Sequence, residues 1–258
     1  MQKNILLYAF IFLLISSCTS KLDFTTPSTT VIPPSNGNSD LIISELSTAI
    51  NTFGTAKDRN HYVELYNGTN SIVDLSNYAI GYQAVTDTNT LSPWNFPDSF
   101  FVALHGKLAT KKCYVIASPI TDTSLVKSDT TWGTSLTSGA GIGNLPLQLS
   151  GNSAIALLKK DAAGAYTLAG NKYKIIDVFG SPMVARLTTT GKTSSRTMIM
   201  WAVADTTNDT RNRTFWRKPT VTGPQSDWTI SNAAGNSQWE ISLDKVWDYT
   251  NVGLPTAH

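Results

Sequence analysis

The chain has 258 residues, 41% of them hydrophobic and 15% charged, with a formal net charge of +2. That apolar fraction supports a core and excludes disorder throughout, while the near-neutral charge argues against nucleic acid as a partner held by a broad basic face. Thirty-four threonines against three glutamates, Glu45, Glu64 and Glu240, disfavour helix and suit strands.

Lys3 precedes an almost wholly apolar run over 5–15, which closes on Ser16-Ser17-Cys18. A basic start, a short apolar stretch and small residues are the pattern of a secretion signal. The run is about half of the ~20 residues that a membrane-crossing helix needs. Leu14-Ile15-Ser16-Ser17-Cys18 also resembles the bacterial lipobox, which implies a signal peptide over 1–17, cleavage before Cys18 and acyl chains on its sulfur. Two or three such chains, at about 0.8 kcal/mol per buried methylene, would anchor the protein to a membrane without spanning it. The other cysteine, Cys113, leaves no intramolecular disulfide framework and reads as a small hydrophobe within a strand.

Residues 18–39 form a Thr/Ser/Pro-rich stretch that cannot bury enough apolar surface to order itself and reads as a tether. From Asp40 onward, short apolar runs alternate with turn clusters, and no long window keeps a helical period. Strands are predicted over 41–46, 61–66, 72–75, 78–82, 114–118, 154–159, 174–178 and 197–203. Asn67-Gly68, Asp161-Ala162-Ala163-Gly164 and Gly180-Ser181-Pro182 supply turns, and 86–98 and 118–145 read as loop insertions. The expectation is one all-β sandwich over 40–258.

The strand Leu41-Ile42-Ile43-Ser44-Glu45-Leu46, the block Tyr62-Val63-Glu64-Leu65-Tyr66-Asn67 and the run Val73-Asp74-Leu75-Ser76 resemble the lamin tail domain. The similarity continues through Ile176-Asp177-Val178-Phe179-Gly180, Arg217-Lys218-Pro219 and Trp239-Glu240 to the terminal segment from Gly253, in the form found in lipoproteins of Bacteroidetes. It implies an immunoglobulin-like β-sandwich, with Glu45, Glu64, Asn67, Asp74, Asp177, Gly180, Arg217 and Trp239 as motif residues. It also implies a surface or outer-membrane location and a binding role without catalysis. Simple alternation places Glu45 on the face of Leu41 and Ile43, where a buried carboxylate calls for a cation; Arg196 and Arg217 are the candidates. Glu64 shares the face of Tyr62 and Tyr66, expected to be the outer one.

Residues of other chemistries are sparse. The acids show no paired spacing for acid–base work, and His61, His105 and His258 are too scattered for a metal-ligand motif, so no cofactor or metal is implied. An aspartate-rich turn around Asp205 and Asp209 fits no calcium-loop signature. The run 139–143 is glycine-rich but opens no helix to hold a phosphate. Residues 211–218 interleave four cations with Phe215 and Trp216, which could grip an anionic polymer or pack internally. Trp94, Trp132 and Trp216 are candidate ligand contacts, because exposed rings stack on sugar faces; Trp94 and Trp132 sit in loop-rich stretches. These features point to an adhesion or interaction module, then to a glycan-binding accessory protein, and only thirdly to an exported hydrolase. The protein ligand or glycan itself and the oligomeric state stay unassigned.

Overall fold

The computed structural model describes residues 39–50, 59–84, 91–97, 100–133, 147, 149, 153–184, 187–189, 198–206, 212–243 and 248–254. The leader, Cys18 and the tether before residue 39 lie outside these, as do Arg196, Asp209, Arg211, His258 and the run 139–143. The strands are β1 Ile42–Ile50, β2 Arg59–Tyr66, β3 Val73–Asp74, β4 Tyr78–Ala84, β5 Phe101–Ala103, β6 Lys107–Leu108, β7 Cys113–Ala117 and β8 Thr130–Thr131. They continue as β9 Ser153–Lys160, β10 Tyr166–Leu168, β11 Asn171–Phe179, β12 Leu187–Thr189, β13 Met198–Met200, β14 Thr214–Arg217 and β15 Trp239–Ile241. The α-helix among the described residues is α1, Trp228–Ser231, capped by the Asp227 side chain. No helix there is long and apolar enough to cross a membrane.

Six strands form one sheet in the order β15-β14-β1-β2-β7-β8, antiparallel except for the β7–β8 pair. Five form a second, antiparallel sheet in the order β10-β11-β9-β4-β5. The two pack face to face over one core, in which Leu46, Val63 and Phe215 of the first sheet meet Ile80, Leu157 and Phe179 of the second. Each such residue removed from water contributes roughly 1.5–3 kcal/mol before chain entropy is counted. The all-β sandwich expected from the strand pattern is present.

Two β-bulges decide which side chains face that core. In β1 the pairing with β2 shifts between Ile43 and Glu45, so Ser44 is an extra residue. Leu41, Ile43 and Leu46 therefore all enter the core, and Glu45 turns to the opposite face, corrected from the inward place that simple alternation gives it. In β11 the shift lies between Ile175 and Asp177, so Asp177 and Phe179 face the first sheet while Ile175 falls on the opposite side.

The outer face of each sheet is also covered. On the second sheet, Phe96 lies against Gly81 so closely that a Cβ there would meet the ring at 2.6 Å. Trp94, Phe101 and Tyr166 pack around that ring with centroids 5.2–5.4 Å away. On the first sheet, Tyr62, Val115, Ala117 and Val126 form a small second cluster beneath Tyr249 and Val252. Where the chain enters the domain, Asp40 accepts from Lys159 Nζ at 2.6 Å, from the Tyr78 hydroxyl at 2.5 Å and from the Leu41 N–H at 2.9 Å.

Candidate functional site

Most of the motif residues build the fold. Asp177 is fully buried and accepts from the Ile43 N–H at 2.8 Å, the Gln225 N–H at 2.9 Å and the Arg217 guanidinium. Arg217 in turn donates to the Ile43 carbonyl (3.2 Å), Ser231 Oγ (3.1 Å) and Gln238 Oε1 (2.8 Å), and its guanidinium lies 4.2 Å from the Trp239 ring centroid. Trp239 completes the cluster by donating its indole N–H to Ser231 Oγ at 2.9 Å. This ion pair ties the two sheets together. It also corrects the partner expected for Arg217, which is Asp177 and not Glu45: Asp177 faces inward with Phe179, and the β1 bulge turns Glu45 outward.

Asn67 is buried after β2, and its amide donates to the carbonyls of Ser71, Leu108 and Ala109, while its Oδ1 accepts from Thr69. It organises the turn that Asn67-Gly68 announced. Asp74 caps the short 3-10 turn Leu75–Asn77 by accepting from the Ser76 N–H at 2.9 Å, and those Ser76 bonds hold its carboxyl below the usual range. Gly180 has φ of +72° with Trp201 against it, a backbone state and a space that only glycine meets without strain. Arg213, just before β14, and Arg217, at its end, both turn inward, so packing accounts for those cations.

A second buried polar cluster is built on Glu45 and Glu64. They are opposite one another in the β1–β2 register, on the face turned away from the second sheet, and only 2% and 3% exposed. The outer face expected for Glu64 is correct in direction, but it is sealed. Glu45 accepts from the Tyr62 hydroxyl. Glu64 accepts from Ser44 Oγ and from the Gly253 N–H, both at 2.7 Å. Burial first, and then the Glu45 charge, push the Glu64 carboxyl up to about 7 against those donors. The same surroundings raise the Tyr62 phenol, through burial and then Glu45, and raise the Cys113 thiol, through burial and then Glu64. Paired acids, which the sequence spacing did not suggest, are therefore present across a strand pair.

The candidate aromatic contacts do not assemble. Trp132, expected near the surface, is 6% exposed within the main core, which corrects its assignment to a ligand. Trp94 is half-buried on Phe96 outside the second sheet, and Trp216 is half-buried on β14 of the first, opposite Glu45 on one side and Glu240 on the other. One open concavity among the described residues lies elsewhere. A groove of about 790 Å³ is bordered by Ser39, by Lys218 and 220–224 after β14, and by Ile230 and 236–238 around α1. It offers hydroxyl and amide side chains, one cation and the half-exposed Ile230, with no carboxylate in its lining among the described residues.

The chain matches no family model, no curated protein and no solved structure.

Among the described residues no group of three or more His, Cys, Asp and Glu side chains is placed to hold a metal ion. His61 Nδ1 is spent on the Leu149 N–H at 3.0 Å, and His105 stands exposed after β5. The groove was missed because its walls come from turns with no periodic signal. The Glu45–Glu64 pair was legible in principle: pairing the first two strand motifs as antiparallel neighbours brings their glutamates together, once Ser44 is recognised as a bulge.

Proposed function

We propose that the chain is an exported lipoprotein, anchored by acyl chains on Cys18 at the outer membrane or cell surface. Its lamin-tail-like, immunoglobulin-type sandwich would serve as a non-catalytic adhesion or interaction module. The observation that carries this reading is where the polar chemistry sits. Glu45, Glu64, Asp177 and Arg217 are all interior, while the groove beside Ser39 is a concave polar surface lined by groups able to hold a ligand by hydrogen bonds. The structural roles of Asn67, Asp177, Gly180, Arg217 and Trp239 support the resemblance read from the sequence, since each explains why that residue type is needed there.

A glycan as the ligand is favoured by one observation, the Thr, Asn, Gln and Lys lining with Ile230 available to a sugar's C–H face. It no longer draws on Trp132. The test has two arms. Cys18→Ser should move the protein from the membrane to the soluble fraction, and unchanged fractionation overturns the anchor. The released chain, applied to a glycan array and to immobilised cell-surface proteins, should be retained by one of them, and Lys218→Ala with Asn236→Ala should weaken that retention at least tenfold. Retention on neither surface, or retention indifferent to both substitutions, overturns the module reading.

A further inference from the structure

The Glu64 carboxyl is enclosed from every side by identifiable groups. From β1 come Glu45 and Ser44; from β2 itself, Tyr62; from β7, Cys113 and Val115; and from residues 248–254, Tyr249 and the Gly253 N–H. One step further out are Trp216 of β14, Glu240 of β15 and Asp129, whose carboxylate takes the Val115 N–H at 2.8 Å. Asp248 is turned to its own Thr250, and Asp244 and Lys245 lie in the preceding connection, outside the described residues. Among the described residues no cation forms an ion pair with Glu64.

The cover is not part of either sheet. Residues 248–254 contribute no strand, and they lie on the first sheet through side-chain and loop contacts, among them a Tyr249–Ser47 hydrogen bond. Tyr249 meets the Tyr62 ring edge-on at 6.3 Å and takes a bond from Asn60 at 3.4 Å. Gly253 donates to Glu64, and the Leu254 carbonyl faces the Cys113 thiol at 3.4 Å. A segment held outside the strand ladders opens locally at lower cost than a paired strand.

We propose that Glu64 and residues 248–254 form a proton-operated latch, in which the segment is clasped over the first sheet while Glu64 carries a proton and is released as that proton is lost. The inference stands apart from the adhesion reading. Its logic is linkage. Closed, the carboxyl is removed from water and faces a second carboxylate, so its proton is retained to about pH 7; opened, water solvates it and it returns toward its ordinary value of 4.5. The group's closed-state pKa is the higher one, so clasping is strongest below the open-state value and weakens as pH rises toward the closed-state value. Donation from Ser44, Gly253 and Cys113 opposes this, and burial together with Glu45 outweighs it.

Hydrogen exchange of the full chain, with protection factors corrected for intrinsic rate, tests the latch. Protection of the 249–254 amides should fall by about 10- to 100-fold between pH 5 and pH 8, following the two carboxyl pKa values, while β1 and β9 amides change far less. In Glu64→Gln, which keeps the shape and cannot ionise, the fall should shrink to less than about threefold. Equal protection of the segment at both pH values, or the same fall in Glu64→Gln, overturns the latch. Should that variant not fold, carboxyl NMR of the unmodified chain decides: titration of Glu64 near pH 7 supports the proposal, and titration below pH 5 overturns it.

Discussion

Replacing Arg217 with Met tests the reasoning about the interior most directly. The guanidinium and the Asp177 carboxylate are 1% and 0% exposed, so solvent cannot screen the charge that one substitution leaves behind. Removing one partner of a buried pair costs about 3–5 kcal/mol, because the surviving charge is stranded. Here Asp177 would keep the N–H groups of Ile43 and Gln225, while Ser231 and Gln238 would lose their donor, so about 4 kcal/mol is expected. Asp177→Asn keeps an acceptor for one of those N–H groups and should cost somewhat less, about 3 kcal/mol. The double variant strands no charge. It should therefore be less destabilised than the two singles added together, by roughly 2 kcal/mol or more. Urea unfolding followed by tryptophan fluorescence, with midpoint and slope fitted separately, reads all three. Single costs below about 1 kcal/mol, or strict additivity in the double variant, would refute the assignment of this pair as the tie between the sheets.

Substitutions at two further places, Asn67 and the Gly81–Phe96 contact, probe the shell. Asn67→Ala removes three amide donations and two acceptor bonds from a buried turn, and thermal melting should show a loss of roughly 2–4 kcal/mol; Asn67→Asp, which cannot donate, should lose a similar amount, and a neutral Asp variant would contradict the donor role. Gly81→Ala places a methyl where Phe96 lies 2.6 Å away, so it should cost about 1–3 kcal/mol and shift Trp94 emission, with Phe96→Leu in the same chain recovering part; no shift in emission would show that the ring is not seated on the sheet.

The long paired strands were legible. The runs around 42–46, 61–66, 78–82, 154–159 and 174–178 alternate or are continuously apolar, and they became β1, β2, β4, β9 and β11, each somewhat longer than its signal because hydrogen bonding continues past the last apolar residue. β5, β6, β8, β10 and β15 are two or three residues long, too short for any period to declare itself. β14 is hidden differently, since the cations in and beside it read as a ligand-gripping stretch, whereas Arg213 and Arg217 lie inside. The bulges are the deeper limit. Ser44 is one residue with no unusual chemistry, yet it inverts the face of Glu45, and with that it changes the partner of Arg217 and creates the Glu45–Glu64 pair. Neither Asp177 with Arg217 nor Trp132 in the core could be inferred from spacing, because sheet order alone brings them into place.

The clasp on Asp40 has a mechanical meaning. A pull arriving through residue 39 meets Lys159 on β9 and Tyr78 on β4 before it reaches β1, so tension is split between the two sheets at the point of entry. What passes on runs along β1, which is bonded to β2 on one side and β14 on the other, and must shear both ladders together instead of opening one bond at a time. Tension entering at residue 39 is thus borne along a strand bonded on both sides.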